Sequence, residues 1–276
     1  MLFWKWKSKK KPVLYLKTVR FFPAGTYYWQ NPLNKAQEVD VFLVGGGAGG
    51  GMNGSGSGYT KTFRGSNYAG SGWQTVDETS YPDAIAGGRD GNAISVSANE
   101  IIEIIVGAGG NGRYNHPDGV NYSDGQSGGF SQFKNSNYRA NGGIHPAGYQ
   151  SDGAAGGSGG SKYGSAAQAV GASNGGNGYG SQSKGQGHTT RDFGENTGLI
   201  NAGGGGGSVV SGTGVGAGGS SNYVQGSGAN GSTPLQGNGG GGYGGGGGAN
   251  SATGMPSTGG KGGDGTVLIR FLSPVP

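Results

Sequence analysis

Cysteine is absent from the 276 residues, which excludes a disulfide scaffold and any zinc site built on thiolates. Apolar residues are scarce as well, 31% with alanine counted, and only 12% of residues are charged. A conventional oily core under a charged skin therefore cannot be large. No apolar run approaches the roughly 18 residues needed to span a bilayer. The stretch "VLYLKTVRFF" is interrupted by Lys17 and Arg20, where the core of a secretory signal would be continuous. If the protein acts outside the cell that makes it, exit by another route is expected. Helical periodicity is missing throughout. Proline occurs only 10 times and glycine keeps no strict period of three, so collagen is excluded.

Acidic residues are missing from positions 1–20, which hold seven Lys or Arg, whereas the remaining 256 residues carry 12 basic and 14 acidic side chains. The formal charge of +5 thus belongs to the N-terminus, and the body lacks the basic surface that gripping phosphates requires. No nucleic-acid partner is expected. The opening "MLFWKWKSKKK" followed by Pro12 suits an arm that docks on another surface, with Phe3, Trp4, Lys5, Trp6 and Lys7 as its contacts.

What the chain has in excess is glycine, 71 residues, of which only Gly25 precedes position 45. Glycine loses the most backbone freedom on ordering, so segments this rich must stay disordered or satisfy their backbone in an unusual way. Disorder is opposed by 11 Tyr, 4 Phe and 1 Trp between Gly45 and Gly265. It is opposed too by strong strand signals. "VLYLKTVRFF", "GTYYW" and "EVDVFLV" carry the alternation and β-branched residues of strands, "NAISVSANEIIEIIV" reads as two strands joined at "SANE", and "DGTVLIRFL" closes the chain. Six strands are expected, and the glycine tracts 45–51, 107–112, 153–160, 203–207, 216–219, 239–248 and 259–265 lie between them or run back into them.

That placement predicts ordered rods. A glycine run can take the polyproline-II conformation, three residues per turn with no internal hydrogen bonds, and must then bond sideways to neighbouring rods. The expected fold is all-β with polyglycine-II helices: short β-strands bracketing a glycine-rich polyproline-II-type helical sandwich with exposed loops. Three regions follow, a basic aromatic attachment arm at 1–12, an N-terminal β-strand region at 13–44, and a glycine-rich domain at 45–276 closed by a C-terminal β-strand.

The spacing Gly45-x-Gly47-x-x-Gly50 after an apolar strand, repeated at Gly107-x-Gly109-x-x-Gly112, matches a dinucleotide fingerprint in its letters. With this glycine content three required glycines match by chance at roughly one position in sixty, so context decides. A true fingerprint opens a helix and is followed by an acid about 20 residues on. Here "GMNGSGSGYT" and "RYNHPDGVNY" follow, neither able to form an amphipathic helix, and the first acids after Gly45 are Asp77 and Glu78. His116, His145 and His188 are far apart, without the spacing of a zinc site. No nucleophile elbow or pair of catalytic carboxylates is visible. Neither an enzyme nor a cofactor is expected.

Taken together, "FFPAGTYYWQNP", "VDVFLVGGGAGGG", "EIIEIIVGAGGNG", "GNGGGGYGGGGGA" and "GGKGGDGTVLIRF" resemble the glycine-rich domain of bacteriophage tail and tail-fibre proteins, from about Lys17 to Leu272. The chain is also similar in style to the tip adhesins of T-even-type long tail fibres, although it lacks their longer N-terminal attachment region. The resemblance implies a virion component, made in the host cytoplasm, whose partners are other phage tail or fibre proteins and a bacterial surface receptor, either an outer-membrane protein or a polysaccharide. It implies that recognition falls on aromatic-rich inserts between tracts, a palette of Tyr, Trp, Ser, Asn and Gly shared with antibody paratopes. Tyr59, Trp73, Tyr81, Tyr114, His116, Tyr122, Tyr138 and Tyr149 are the expected contacts. The alternative is a purely structural tail, collar or capsid decoration protein, in which these aromatics pack over glycine rods.

Overall fold

The computed structural model describes residues 13–51, 53–65, 89–115, 122–123, 125–146, 152–162, 169–181, 183–195, 197–207, 218–219, 240, 243–249 and 257–275. Among the described residues, twelve strands and one 3-10 turn make up the regular structure. The strands are β1 (Tyr15–Phe21), β2 (Gly25–Gln30), β3 (Gln37–Val44), β4 (Thr60–Phe63), β5 (Ile94–Val96), β6 (Ile101–Val106), β7 (Tyr114–Asn115), β8 (Tyr122–Ser123), β9 (Ser131–Phe133), β10 (Arg139–Ala140), β11 (Ser257–Thr258) and β12 (Thr266–Ser273). All named strand pairs are antiparallel. The six strands legible in the sequence are β1, β2, β3, β5, β6 and β12.

The first sheet runs β1-β12-β3-β4, with β5 joining the start of β3. The C-terminal strand β12 lies between β1 and β3 in this sheet, with Val19 opposite Ile269 on one side and Val41 opposite Ile269 on the other. The second sheet runs β10-β9-β6-β2. The two sheets face each other over Val39, Val41, Leu43 and Ile269 on one side and Trp29, Ile102, Ile104 and Phe133 on the other. Trp29 occupies the middle, edge-on to Phe271 at 5.0 Å between ring centroids and tilted against Phe133 at 6.5 Å. Strand β2 alternates accordingly, burying Trp29 and leaving Tyr28 exposed.

β3 is apolar nearly throughout because both its faces are covered. Val39, Val41 and Leu43 face the second sheet. Phe42 and Val44, on the opposite face, meet Phe193, Ala202 and Leu268 in a second small cluster. This alternation assigns Asp40 to the same outer face, where it is fully buried.

Beyond Val44 the ladder gives way to glycine, and the hydrogen bonding changes period. Gly46 and Gly49 donate to the carbonyls of Gly129 and Gln126, Gly47 and Gly50 to those of Gly263 and Gly260, and Gly45 and Ala48 to those of Tyr59 and Gly56. Each neighbour recurs every third residue. The carbonyls of 46, 47 and 48 in turn accept from Gly143, Gly110 and Gly247, so six tracts surround residues 45–51. The tract 54–59 repeats the rule: 54 and 57 donate to 161 and 158, 55 and 58 to 247 and 244, 56 and 59 to 144 and 141. Buried backbone polar groups require partners, and lateral bonds between extended tracts supply them here.

This packing explains the glycines physically. A Cβ on Gly46, Gly47, Gly49 or Gly50 would lie 1.9–2.1 Å from a carbonyl oxygen of a neighbouring tract. In 107–112 the two residues that do carry side chains, Ala108 and Asn111, are three apart and both exposed. Gly107 and Gly110 abut residues 126–129, while Gly109 and Gly112 abut 259–262. Both Gly-x-Gly-x-x-Gly spacings therefore follow from neighbours at a three-residue period.

Candidate functional site

The bonding register gives the glycine lattice two ends. At one, Gly45, Gly107 and Gly265 adjoin the large sheets, and Gly265 donates to the carbonyl of Gly107 at 2.8 Å. At the other, Arg113 donates to Gly50 and accepts from Gly259, after which the chain enters β7 on one side and β11 on the other. The small sheet β11-β7-β8 thus stands at the end remote from the sandwich. Tyr114 lies opposite Ser123 and Asn115 opposite Tyr122, which brings two of the sequence-predicted contact positions, Tyr114 and Tyr122, onto adjacent strands.

His145 closes the same end from the side. Its Nδ1 lies 2.6 Å from the carbonyl oxygen of Gly49. Its ring occupies the space next to Gly125, where a Cβ would come within 2.0 Å of it.

Two other predicted contacts sit at the sandwich end. Tyr138 stands edge-on to Phe63, 5.1 Å between centroids and 87° between planes, and packs against the main core. Tyr59 leads into β4, its amide donating to Asn141, and burial pushes its phenol above the ordinary value. Trp73, Tyr81, His116 and Tyr149 lie outside the described residues, as do Phe3, Trp4, Lys5, Trp6 and Lys7 of the arm.

A polar site that sequence reasoning missed lies on the outer face of the first sheet. Residues 191–195 and 197–200 lie over it, closed by the bridge between Arg191 and Ile200, and drive Phe193 onto Phe42 at 6.3 Å between centroids. Arg270 stacks its guanidinium 4.3 Å above the Phe193 ring, pairs with Asp40 at 2.9 Å and reaches Glu195 at 2.8 Å. Glu195 also meets Arg64 at 3.1 Å, and the Arg64 side chain is 1% exposed. Burial alone would lower both guanidinium pKa values; it does so for Arg64, against Glu195. For Arg270 the hydrogen bonds and charges of Glu195 and Asp40 outweigh burial and leave it raised. Residues 40, 64, 195 and 270 share no local motif, so no spacing in the sequence announces them.

Among the described residues no cluster of three His, Asp or Glu is placed to hold a metal ion, and no helix is long and apolar enough to cross a membrane. No curated protein matches the chain. The model of the glycine-rich domain family matches residues 22–272, spanning β2 through nearly all of β12 and the whole lattice between them. The chain belongs to the glycine-rich domain family.

Proposed function

We propose that this protein is a bacteriophage tail or tail-fibre component that recognises a bacterial surface receptor through loops displayed on a polyglycine-II sandwich. It is a binding module and not an enzyme, built in the host cytoplasm and carried on the virion by the basic aromatic arm at 1–12. The ordered strand-to-glycine junctions that resemble phage tail proteins supply the class. The observation that carries the display mechanism is the three-residue period with which Gly45 to Gly50 change hydrogen-bond partner. That period matches three residues per turn in a polyproline-II-type rod.

A lattice bonded laterally in this way is rigid without a large apolar core. Its remote end offers β7 and β8 as a fixed platform, and Tyr114 and Tyr122 are the contacts this reading favours. Receptor classes with apolar faces and hydrogen-bonding groups, an outer-membrane protein loop or a polysaccharide, suit such a surface. The spacer alternative draws on Tyr138, whose ring is committed to Phe63, since aromatics so used serve packing.

Purified protein added to susceptible cells separates the two. Saturable binding that competes with phage adsorption, and that weakens at least about tenfold in a Tyr114→Ala/Tyr122→Ala variant, supports recognition. No binding at saturating protein supports the spacer.

A further inference from the structure

Residues 192–195 and 197–199 and the outer face of β1 and β12 enclose an open groove of about 430 Å³, within the range of small-molecule sites. We infer that this groove is a binding site for a neutral sugar ring. Its walls carry two ion pairs: Arg20 with Asp192 at 3.4 Å and Arg270 with Glu195 at 2.8 Å. The lining charges cancel. An anion entering here meets two carboxylates, and a cation meets two guanidinium groups. A zwitterion would have to prise Arg270 from Glu195.

A neutral polyol faces neither obstacle. Adjacent hydroxyls on one ring can donate to a carboxylate oxygen and accept from a guanidinium N–H at the same time. Threonine hydroxyls on both walls, Thr18 and Thr197, add further donors and acceptors, and Leu199 offers an apolar patch to the C–H face of the ring.

The groove is also preorganised. Asp192 is held by the amide of Asn201 at 2.8 Å, and Arg270 is fixed from behind by Asp40 and from below by Phe193. Phe193 itself has φ 53° and ψ 19°, a left-handed conformation unusual for a bulky residue. Backbone held in this way at a cleft is the kind of strain that gathers at ligand sites. Packing onto Phe42 and under Arg270 maintains it here.

This site is at the sandwich end of the lattice, away from β7 and β8, so it does not rest on the adhesion reading. The test uses the isotopically labelled full chain and amide chemical shifts. The probes are methyl glycosides of glucose, galactose, mannose and N-acetylglucosamine, their di- and trisaccharides, and glucuronate and alanine as charged counterparts. The expected result is saturable shifts at Thr18 and at Thr197 to Leu199 with at least one neutral glycoside at millimolar concentration, as suits one shallow subsite. Tighter binding with chain length identifies a polysaccharide as the source; equal binding identifies a free sugar.

Thr18 and Thr197 are exposed, so Thr18→Trp and Thr197→Trp each fill the groove from one wall without entering the core. Either variant that keeps the parent Tm should weaken binding at least about tenfold. No saturable shift with any neutral glycoside, shifts that survive in a folded tryptophan variant, or stronger binding of glucuronate or alanine would overturn the assignment. Loss of cell binding in the Tyr114/Tyr122 variant with sugar shifts intact would leave it standing.

Discussion

Gly47 donates its amide to the carbonyl of Gly263 across 2.8 Å, while a Cβ on the same residue would stand 2.0 Å from the carbonyl oxygen of Gly245. One residue thus makes the lateral bond and provides the clearance that lets the next tract come close. Gly47→Ala forces backbone against backbone, and no side chain can rotate away. A loss of about 3 kcal/mol, the upper end of overpacking penalties, is expected. Gly51→Ala is the control, because its Cβ would meet only the side chains of His145 and Pro146, at an ordinary 3.4 and 3.6 Å. Thermal unfolding of the two variants checks this, and equal Tm values would refute the close-packed lattice.

Lateral bonding makes a second prediction, about amide exchange. The amides of Gly46, Gly47, Gly49 and Gly50 and of residues 54–59 all donate to other tracts, and residues 45–50 are buried. They should open only with the whole fold and exchange at least about four orders of magnitude more slowly than in an unfolded peptide. Ala108 and Asn111 are exposed on the rim, which does not by itself protect their amides. Mass-spectrometric exchange on peptides covering 45–59 reads this protection, and peptide-like rates there would refute the lateral bonding between tracts.

The legible part of the fold was the part with side chains to carry a period. β1, β2, β3, β5, β6 and β12 announce themselves by alternation or by a dense apolar run, and "SANE" gives the turn between β5 and β6, where Asn99 takes φ 55°. β7, β8, β10 and β11 are two residues long, too short for any alternation to show. β4, "TKTF", alternates but is flanked by glycine-rich sequence. Within the lattice, glycine marks where a tract runs but not which tract lies beside it, because residues without side chains carry no record of their neighbours. Ala108 and Asn111, and likewise Lys261 and Asp264, betray the three-residue period. The polar groove was illegible for another reason: Arg20, Asp192 and Arg270 meet through the closure of β1 on β12, a contact between the two ends of the chain.

Stability should fall with acid in two separate windows. Burial holds the His188 pKa below its ordinary 6.5, outweighing Asp90 at 3.9 Å, and Lys61 lowers it further. The unfolded chain binds this proton more readily, so the contribution is complete above pH 6.5 and is lost as pH falls from there through the folded pKa. Glu100 is lowered chiefly by the hydrogen bond from the Ser97 amide, with Lys134 adding to it; its contribution holds above its ordinary 4.5 and fades only below that. Tm measured from pH 7.5 downward should therefore begin to drop near neutrality in the parent. In His188→Gln the first decline should vanish and the second persist. A parent profile flat between pH 6.5 and 5 would contradict the assignment to His188.

Asp40 tests what the buried charges contribute. Its side chain is fully buried, accepts from Arg270 at 2.9 and 3.0 Å, and takes the amide of Gly65 on its other oxygen at 2.9 Å. Asp40→Asn keeps the shape but removes the carboxylate charge beside Arg270, leaving Glu195 as the carboxylate that meets both the Arg270 and Arg64 guanidinium groups. Removing one partner from a buried pair exposes the desolvation penalty of the other, so a loss of roughly 3–5 kcal/mol is expected. For a chain of this size that corresponds to a fall in Tm of roughly 6–20 °C. Salt should change the effect little, since buried charges are poorly screened. Lys162, paired with Asp152 at 3.5 Å with 41% of its own side chain exposed, supplies the contrast: Lys162→Ala should cost under about 1 kcal/mol. If Asp40→Asn costs no more than Lys162→Ala, the network under the groove is a bystander. The preorganisation of Arg270 and Glu195 toward a ligand would then lose its physical basis.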